Sequence, residues 1–170
     1  MYIQYFCDIM PMKKFMKDKK IVVYNEKRNP NFVKTVVVKY SFPKVNEFIS
    51  LFNSVGWERT IKRVKENKNN TVFAISLYID NSIVGMGRVV GDGSYFTIYD
   101  IVIHKDFQRL GLGSIIINEI IEWYKTIKDD DTFLYVNASK NKEKFYEKFG
   151  FVARPNDDVG AGMKWYGENE

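Results

Sequence analysis

The chain has 170 residues, 45% hydrophobic and 28% charged, which is enough for one domain with a real core and too few for two. A single cysteine, Cys7, and the lack of any long uninterrupted apolar run exclude a disulfide framework and argue against a membrane-spanning helix. The net charge of +5 is unevenly placed: up to Tyr40 there are nine Lys or Arg against three Asp or Glu, and beyond it 17 against 18, so the basic excess is N-terminal and nucleic acid is disfavoured as a partner.

Residues 1–33 fit no clear element and read as an N-terminal extension, with 34–170 as the folded domain. The stretch MKKFMKDKK, Met12 to Lys20, reads as a solvated tail or helix face whose removal should leave the domain working. Gln4 and Asp8 interrupt the opening apolar residues and no basic n-region precedes them, which predicts no secretory signal and a cytoplasmic address. Lys34 to Tyr40 is β-branched and predicts a strand broken by Pro43. Val45, Phe48, Ile49, Phe52 and Val55 recur at helical spacing and end at Gly56; ERTIKRVKENK then predicts a second, more polar helix ended by Asn69 and Asn70. TVFAISLYID and SIVGMGRVV are strands joined across Asp80 and Asn81, a hairpin signal, and Gly91 to Gly93 turn the chain into a long strand from Tyr95 to Ile103.

After the short loop His104 to Phe107, the six residues Gln108, Arg109, Leu110, Gly111, Leu112 and Gly113 open an amphipathic helix in which Ile116, Ile117, Ile120, Ile121 and Tyr124 form one stripe. Glycine removes Cβ where a ligand must approach the backbone, and the first amides of a helix have no intrahelical partner and sit at the positive end of its dipole. The segment therefore reads as a pyrophosphate cradle, with Arg109 adding a cation; an ordinary strand-to-helix connection has the same look. The acidic turn Asp129 to Asp131 leads into a second apolar strand, TFLYVNAS, which completes a βαβ unit with parallel strands. NKEKFYEKF predicts a short helix with Gly150 just past it, FVARP a strand, Pro155 to Gly160 a loop, and AGMKWY a last strand. The fold class is mixed α/β. The spacing departs both from a Walker loop, which needs Lys and Ser/Thr after its last glycine, and from the dinucleotide GxGxxG fingerprint.

Gln-x-x-Gly-x-Gly after a strand and a short basic loop resembles the acetyl-CoA motif of the GNAT superfamily of N-acetyltransferases. IVIHKDFQRLGLGS matches it without a gap, and KFYEKFGF, Lys144 to Phe151, is similar to the Tyr-x-x-x-Gly-Phe that closes such domains. The resemblance covers roughly residues 34–170. It implies a mixed central sheet with one parallel strand pair, flanking helices, acetyl-CoA as co-substrate and an amine acceptor, and it admits a homodimer. It also implies that a bulge in the Tyr95–Ile103 strand frees the amides of Ile101, Val102 and Ile103 for the pantetheine arm and the thioester carbonyl. Gln108 through Ser114 would then hold the pyrophosphate, and Phe145 would line the cofactor. Many members carry Asn seven residues before the tyrosine; here that position is Ser139, counted with the cofactor contacts.

One His and one Cys cannot build a zinc site, and a Cys7–His104 nucleophile is poorly supported by an apolar, isolated cysteine. What remains is direct attack of a neutral amine on the thioester, helped by positioning and carbonyl polarisation. Tyr146 is the candidate general acid, because a phenol near pKa 10 can protonate a thiolate whose acid has pKa of about 8.5. An aromatic face of Phe145, Tyr146 and Phe149 packed on the sheet is the plainer alternative. Asp100 is the candidate base, although strand alternation turns it to the other face unless the bulge reorients it, and pinning a loop is an equal alternative. A water chain could take its place. Lys44 to Lys68 and Pro155 to Met163 are expected to wall the acceptor site, with Phe52, Trp57 and Trp165 as aromatic lining and Asp157 and Asp158 attracting a cation. SLFNSVGW and GAGMKWY are similar to strings in arylalkylamine or serotonin N-acetyltransferases, which suggests a small amine. A protein amino group, or acyl-CoA binding with little turnover, remains open.

Overall fold

Alternating β-branched strands and one long apolar helical stripe set the architecture, seen in a computed structural model that describes residues 15, 17–24 and 33–164. Cys7, Met12, Lys13, Lys14, Met16 and Trp165 lie outside the described residues. The chain divides into two compact units, Met1–Asn137 and Ala138–Glu170.

In the first unit the elements are β1 (Lys19–Tyr24), β2 (Val33–Lys39), α1 (Val45–Asn53), α2 (Ile61–Asn69), β3 (Phe73–Ile79), β4 (Ser82–Gly91), β5 (Tyr95–Ile103), α3 (Leu112–Lys125) and β6 (Phe133–Val136). Among the described residues the strands form one sheet in the order β1-β2-β3-β4-β5-β6, antiparallel throughout except for the parallel β5/β6 pair. The parallel pair is reached by the expected crossover through α3. Asp80 (φ 48) and Asn81 (φ 63) make the two-residue β3–β4 turn; two positive φ values in succession are what the right-handed strand twist selects.

β1 had no signal in the sequence reading. It is an edge strand whose outer positions are Lys19, Lys20 and an exposed Val22, so it lacks the apolar alternation of a covered strand. It is fastened from the other side of the core by Glu119 of α3, a buried carboxylate that accepts from Lys19 Nζ and, at 2.8 Å, from Tyr40 Oη. Burial, reinforced by Glu119, raises the Tyr40 phenol above its ordinary pKa. The helix ERTIKRVKENK begins later than expected, at Ile61, because the Thr60 hydroxyl caps it by accepting from the Arg63 amide at 3.3 Å.

The sheet has a core on each face. On one, α3 lays Ile116, Ile117, Ile120 and Trp123 over Phe73 and Phe96; the Trp123 ring stacks on Phe73 at 4.7 Å and meets Phe96 edge-on at 5.7 Å. Ile121, placed in the stripe by spacing, is only half-buried, and Trp123 takes the central position. On the other face Phe48, Leu51 and Phe52 of α1 and Val64 of α2 pack with Met86 and Val102. Tyr78 ties this face to α1 by donating to Glu47 at 2.9 Å.

The second unit contains α4 (Glu143–Glu147), ended by Gly150 at φ 87. Neither FVARP nor Ala161–Lys164 is a strand, contrary to the sequence reading. Val152 is three-quarters exposed and Met163 fully so, and among the described residues neither segment is part of a ladder.

Candidate active site

The site is built on the second half of β5. Before Tyr99 the even residues face α3: Phe96 meets Trp123 and Tyr124. After Asp100 the odd ones do: Ile101 and Ile103 lie toward Ile116, while Val102 joins the α1 core. The inversion comes from a bulge. Tyr99 pairs with Arg88 and Val102 with Met86, so Asp100 and Ile101 together oppose Gly87 alone. Asp100 adopts φ +54, a left-handed conformation that a side chain disfavours. Gly87 suits the crowded strand opposite, where a Cβ would come within 2.5 Å of both Ile101 Cδ1 and Ile116 Cγ2.

The bulge coincides with a break in the ladder on the other side. β6 pairs with β5 only from Tyr95↔Phe133 to Ile98↔Val136. Tyr99 to Ile103 therefore keep β4 on one edge and, among the described residues, have no strand on the other. Amides and carbonyls on such an edge are available to an extended ligand.

Gln108 Nε2 donates to the Ile103 carbonyl at 3.2 Å and fastens the connecting loop to the strand end. Arg109 (φ +65) and Gly111 (φ +76) are both left-handed, a combination that builds concave, amide-lined turns. Gly111 is the N-cap of α3, which starts at Leu112, at the glycines as expected, and no side chain caps it. The first helical bonds run from Ser114 and Ile115 to the Gly111 carbonyl, so the amides of Leu112 and Gly113 precede the ladder. A Cβ on Gly111 would point into open space, with nothing beyond its chain neighbours and its own helix backbone within 4 Å. An uncapped helix start with open space before it fits a pyrophosphate.

Asp100, the candidate base, is ion-paired: Arg88 Nε donates to its Oδ2 at 2.5 Å, with both side chains largely buried. Arg88 was not singled out from the sequence, although an arginine inside the apolar run SIVGMGRVV was a visible signal. Phe52 is fully buried in the α1 core, whereas Trp57 is 42% exposed and meets it edge-on at 5.7 Å. In the expected acceptor wall, Ile49, Asn53, Gly56, Glu58 and Arg59 line an open cleft of about 370 Å³. His104 accepts weakly from the Asp106 amide through Nδ1. Among the described residues no three His, Cys, Asp or Glu side chains converge as a metal site would require.

In the second unit Tyr146 and Phe145 are half-buried on α4 and Ser139 is exposed, its carbonyl accepting from Lys142. The Tyr146 ring packs edge-on against Phe145 at 5.1 Å and Phe151 at 6.0 Å, and desolvation among these rings raises its phenol above the ordinary value. Asp157 and Asp158 are exposed.

Residues 36–167 match the acetyltransferase (GNAT) domain family. An uncharacterised N-acetyltransferase, ycf52, of Pyropia yezoensis is 33% identical over 91% of this chain and 97% of its own length. A histone acetyltransferase of Glycine max is 25% identical over 72% of this chain and 57% of that protein. A solved Staphylococcus aureus structure, described as a probable acetyltransferase, is 30% identical with a TM-score of 0.68 and covers 76% of this chain and 99% of that one. No helix among the described residues is long and apolar enough to cross a membrane. With the bulged strand, the broken ladder and the uncapped glycine helix all within the matched span, the chain belongs to the GNAT family of acetyltransferases.

Proposed function

We propose that this N-acetyltransferase moves the acetyl group of acetyl-CoA to the primary amine of a small molecule by direct attack. The observation that carries the reading is the pairing of an uncapped α3 N-terminus with a β5 edge of five residues that, among the described residues, has no second strand, leading toward a pyrophosphate site. The amides of Ile101, Val102 and Ile103 hold the pantetheine and polarise the thioester carbonyl, which favours the developing oxyanion. Gln108 sets the loop, and Arg109, Leu110, Gly111, Leu112, Gly113 and Ser114 receive the pyrophosphate. Ser139 and Phe145 contact the cofactor. Tyr146 delivers a proton to the departing thiolate, and its raised pKa keeps that proton in place through neutral and mildly alkaline pH. The proton of the attacking ammonium leaves through water.

Thiol release from acetyl-CoA, measured with a panel of arylalkylamines, polyamines and lysine peptides, tests the reading. Turnover with a small amine supports it. Turnover with peptides alone moves the acceptor to a protein amino group, the class named for the Glycine max relative. Tight acetyl-CoA binding without turnover makes the chain a sensor.

A further inference from the structure

Arg88 and Asp100 join β4 to the one residue at which β5 changes face. Three features of the pair are unusual together. Asp100 holds φ +54, a region that glycine enters freely and that aspartate enters more readily than most side chains but still at a cost. Its carboxylate is 12% exposed and Arg88 is 9% exposed, so neither charge is left to water. The guanidinium is surrounded: Nε on Asp100 at 2.5 Å, an Nη1 contact to Thr71 Oγ1 at 3.5 Å, and the Tyr99 ring 5.4 Å from Cζ. A planar guanidinium donates along fixed directions, so it fixes not only the charge of its partner but its position relative to β4. The carboxylate in question hangs from the left-handed residue, and a carboxylate fixed there fixes that residue's backbone.

We propose that Arg88 and Asp100 form a latch that holds the β5 bulge, so that Asp100 is a positioning residue for the Ile101–Ile103 amides and not the base. This rests on the reading of those amides as the thioester-binding group. If the bulge relaxed, β5 would regain plain alternation, and Ile101 and Ile103 would swing away from α3. The amides would rotate with them.

The test compares two double variants of the full chain, Arg88→Met/Asp100→Gly and Arg88→Met/Asp100→Val. Both remove the buried charges together, so neither leaves an uncompensated ion. Both delete the carboxylate, so a base would be lost equally from each. They differ in the backbone: glycine accepts a positive φ and valine resists it. The latch predicts a kcat at least ten-fold higher for the glycine variant than for the valine variant. It also predicts a KM for acetyl-CoA higher in the valine variant than in the glycine variant, because the same amides hold the pantetheine, and the acid limb of the wild-type pH profile retained in both. Equal kcat values, each down by about 10²-fold or more with the acid limb gone, would return Asp100 to the role of base and overturn the latch. Amide exchange of peptides spanning Tyr99 to Ile103 gives an independent readout. Faster exchange in the valine variant than in the glycine variant supports the latch, and equal exchange overturns it. Should wild-type protein release no thiol from acetyl-CoA with any amine, the transferase reading fails, and the exchange comparison still decides the latch.

Discussion

The role proposed for Tyr146 turns on one proton. Tyr146→Phe preserves the ring contacts with Phe145 and Phe151 and removes only the hydroxyl, so fold and CoA affinity should persist while kcat falls by about 10²-fold to 10⁴-fold. Since burial raises the phenol, the acid form persists above pH 10, and the alkaline limb of kcat should lie above that value and vanish in the variant. A pH–rate profile from 7 to 11 checks both; wild-type kcat with the limb intact would return Tyr146 to packing. Gly87 offers a residue-scale test of the bulge. Valine there must displace Ile101 and the branched Ile116 methyl, and overpacking of this kind costs roughly 1–3 kcal/mol, measurable as a lower urea midpoint. An unchanged midpoint would mean that the strand opposite the bulge has room to spare.

Among the elements, α3 carries the sharpest prediction. At φ +76 Gly111→Val strains the backbone even though its side chain meets nothing in the chain, so the helix start should lose its shape rather than its packing. CoA affinity by calorimetry should drop at least ten-fold while far-UV helicity changes little; unchanged affinity would remove the cradle from the site. The same helix shows what sequence reveals. Its apolar stripe and the glycines before it are local, chain-neighbour patterns, and so is the Asp80–Asn81 turn, where side chain and dihedral are tied at the same residue. β1 was hidden because a charged edge strand is defined by its partner β2 and by Glu119, about a hundred residues away. FVARP failed for the opposite reason: strand-like composition that joins no ladder among the described residues. The break between β5 and β6 was expected from resemblance alone, because a backbone left unpaired leaves almost no trace in side-chain identity. Asp100 was legible as a charge, but its direction was not, since a bulge resets the two-residue period on which the reading of faces depends.

For the whole molecule, the boundary of the dispensable N-terminus moves. Deleting residues 1–14 should leave stability and turnover in place, whereas deletion through Tyr24 strips β2 of its neighbour and Glu119 of Lys19. The longer deletion should lower the thermal midpoint by several degrees, consistent with a loss of about 1–2 kcal/mol; equal midpoints would make β1 ornamental. Alkali should expose a second global property. Tyr40 and Tyr78 have folded pKa values raised by burial and by Glu119 and Glu47, so the unfolded chain releases their protons first as pH rises past about 10. Stability due to these phenols is complete below pH 10 and declines above it, and urea midpoints from pH 8 to 11.5 should fall less steeply in Tyr40→Phe/Tyr78→Phe. The strand order carries a kinetic consequence. β3, β4 and β5 are chain neighbours joined by short turns and can pair as soon as they are synthesised, but β6 must wait until the connection from 104 to 132 has closed. The open wedge between β5 and β6 is therefore the last part of the sheet to be completed. A ligand that binds only the completed wedge stabilises it against local opening, and CoA at 100 times its dissociation constant should add about 2.7 kcal/mol of protection there. Supply of the co-substrate would then govern the proteolytic lifetime of the enzyme as well as its rate.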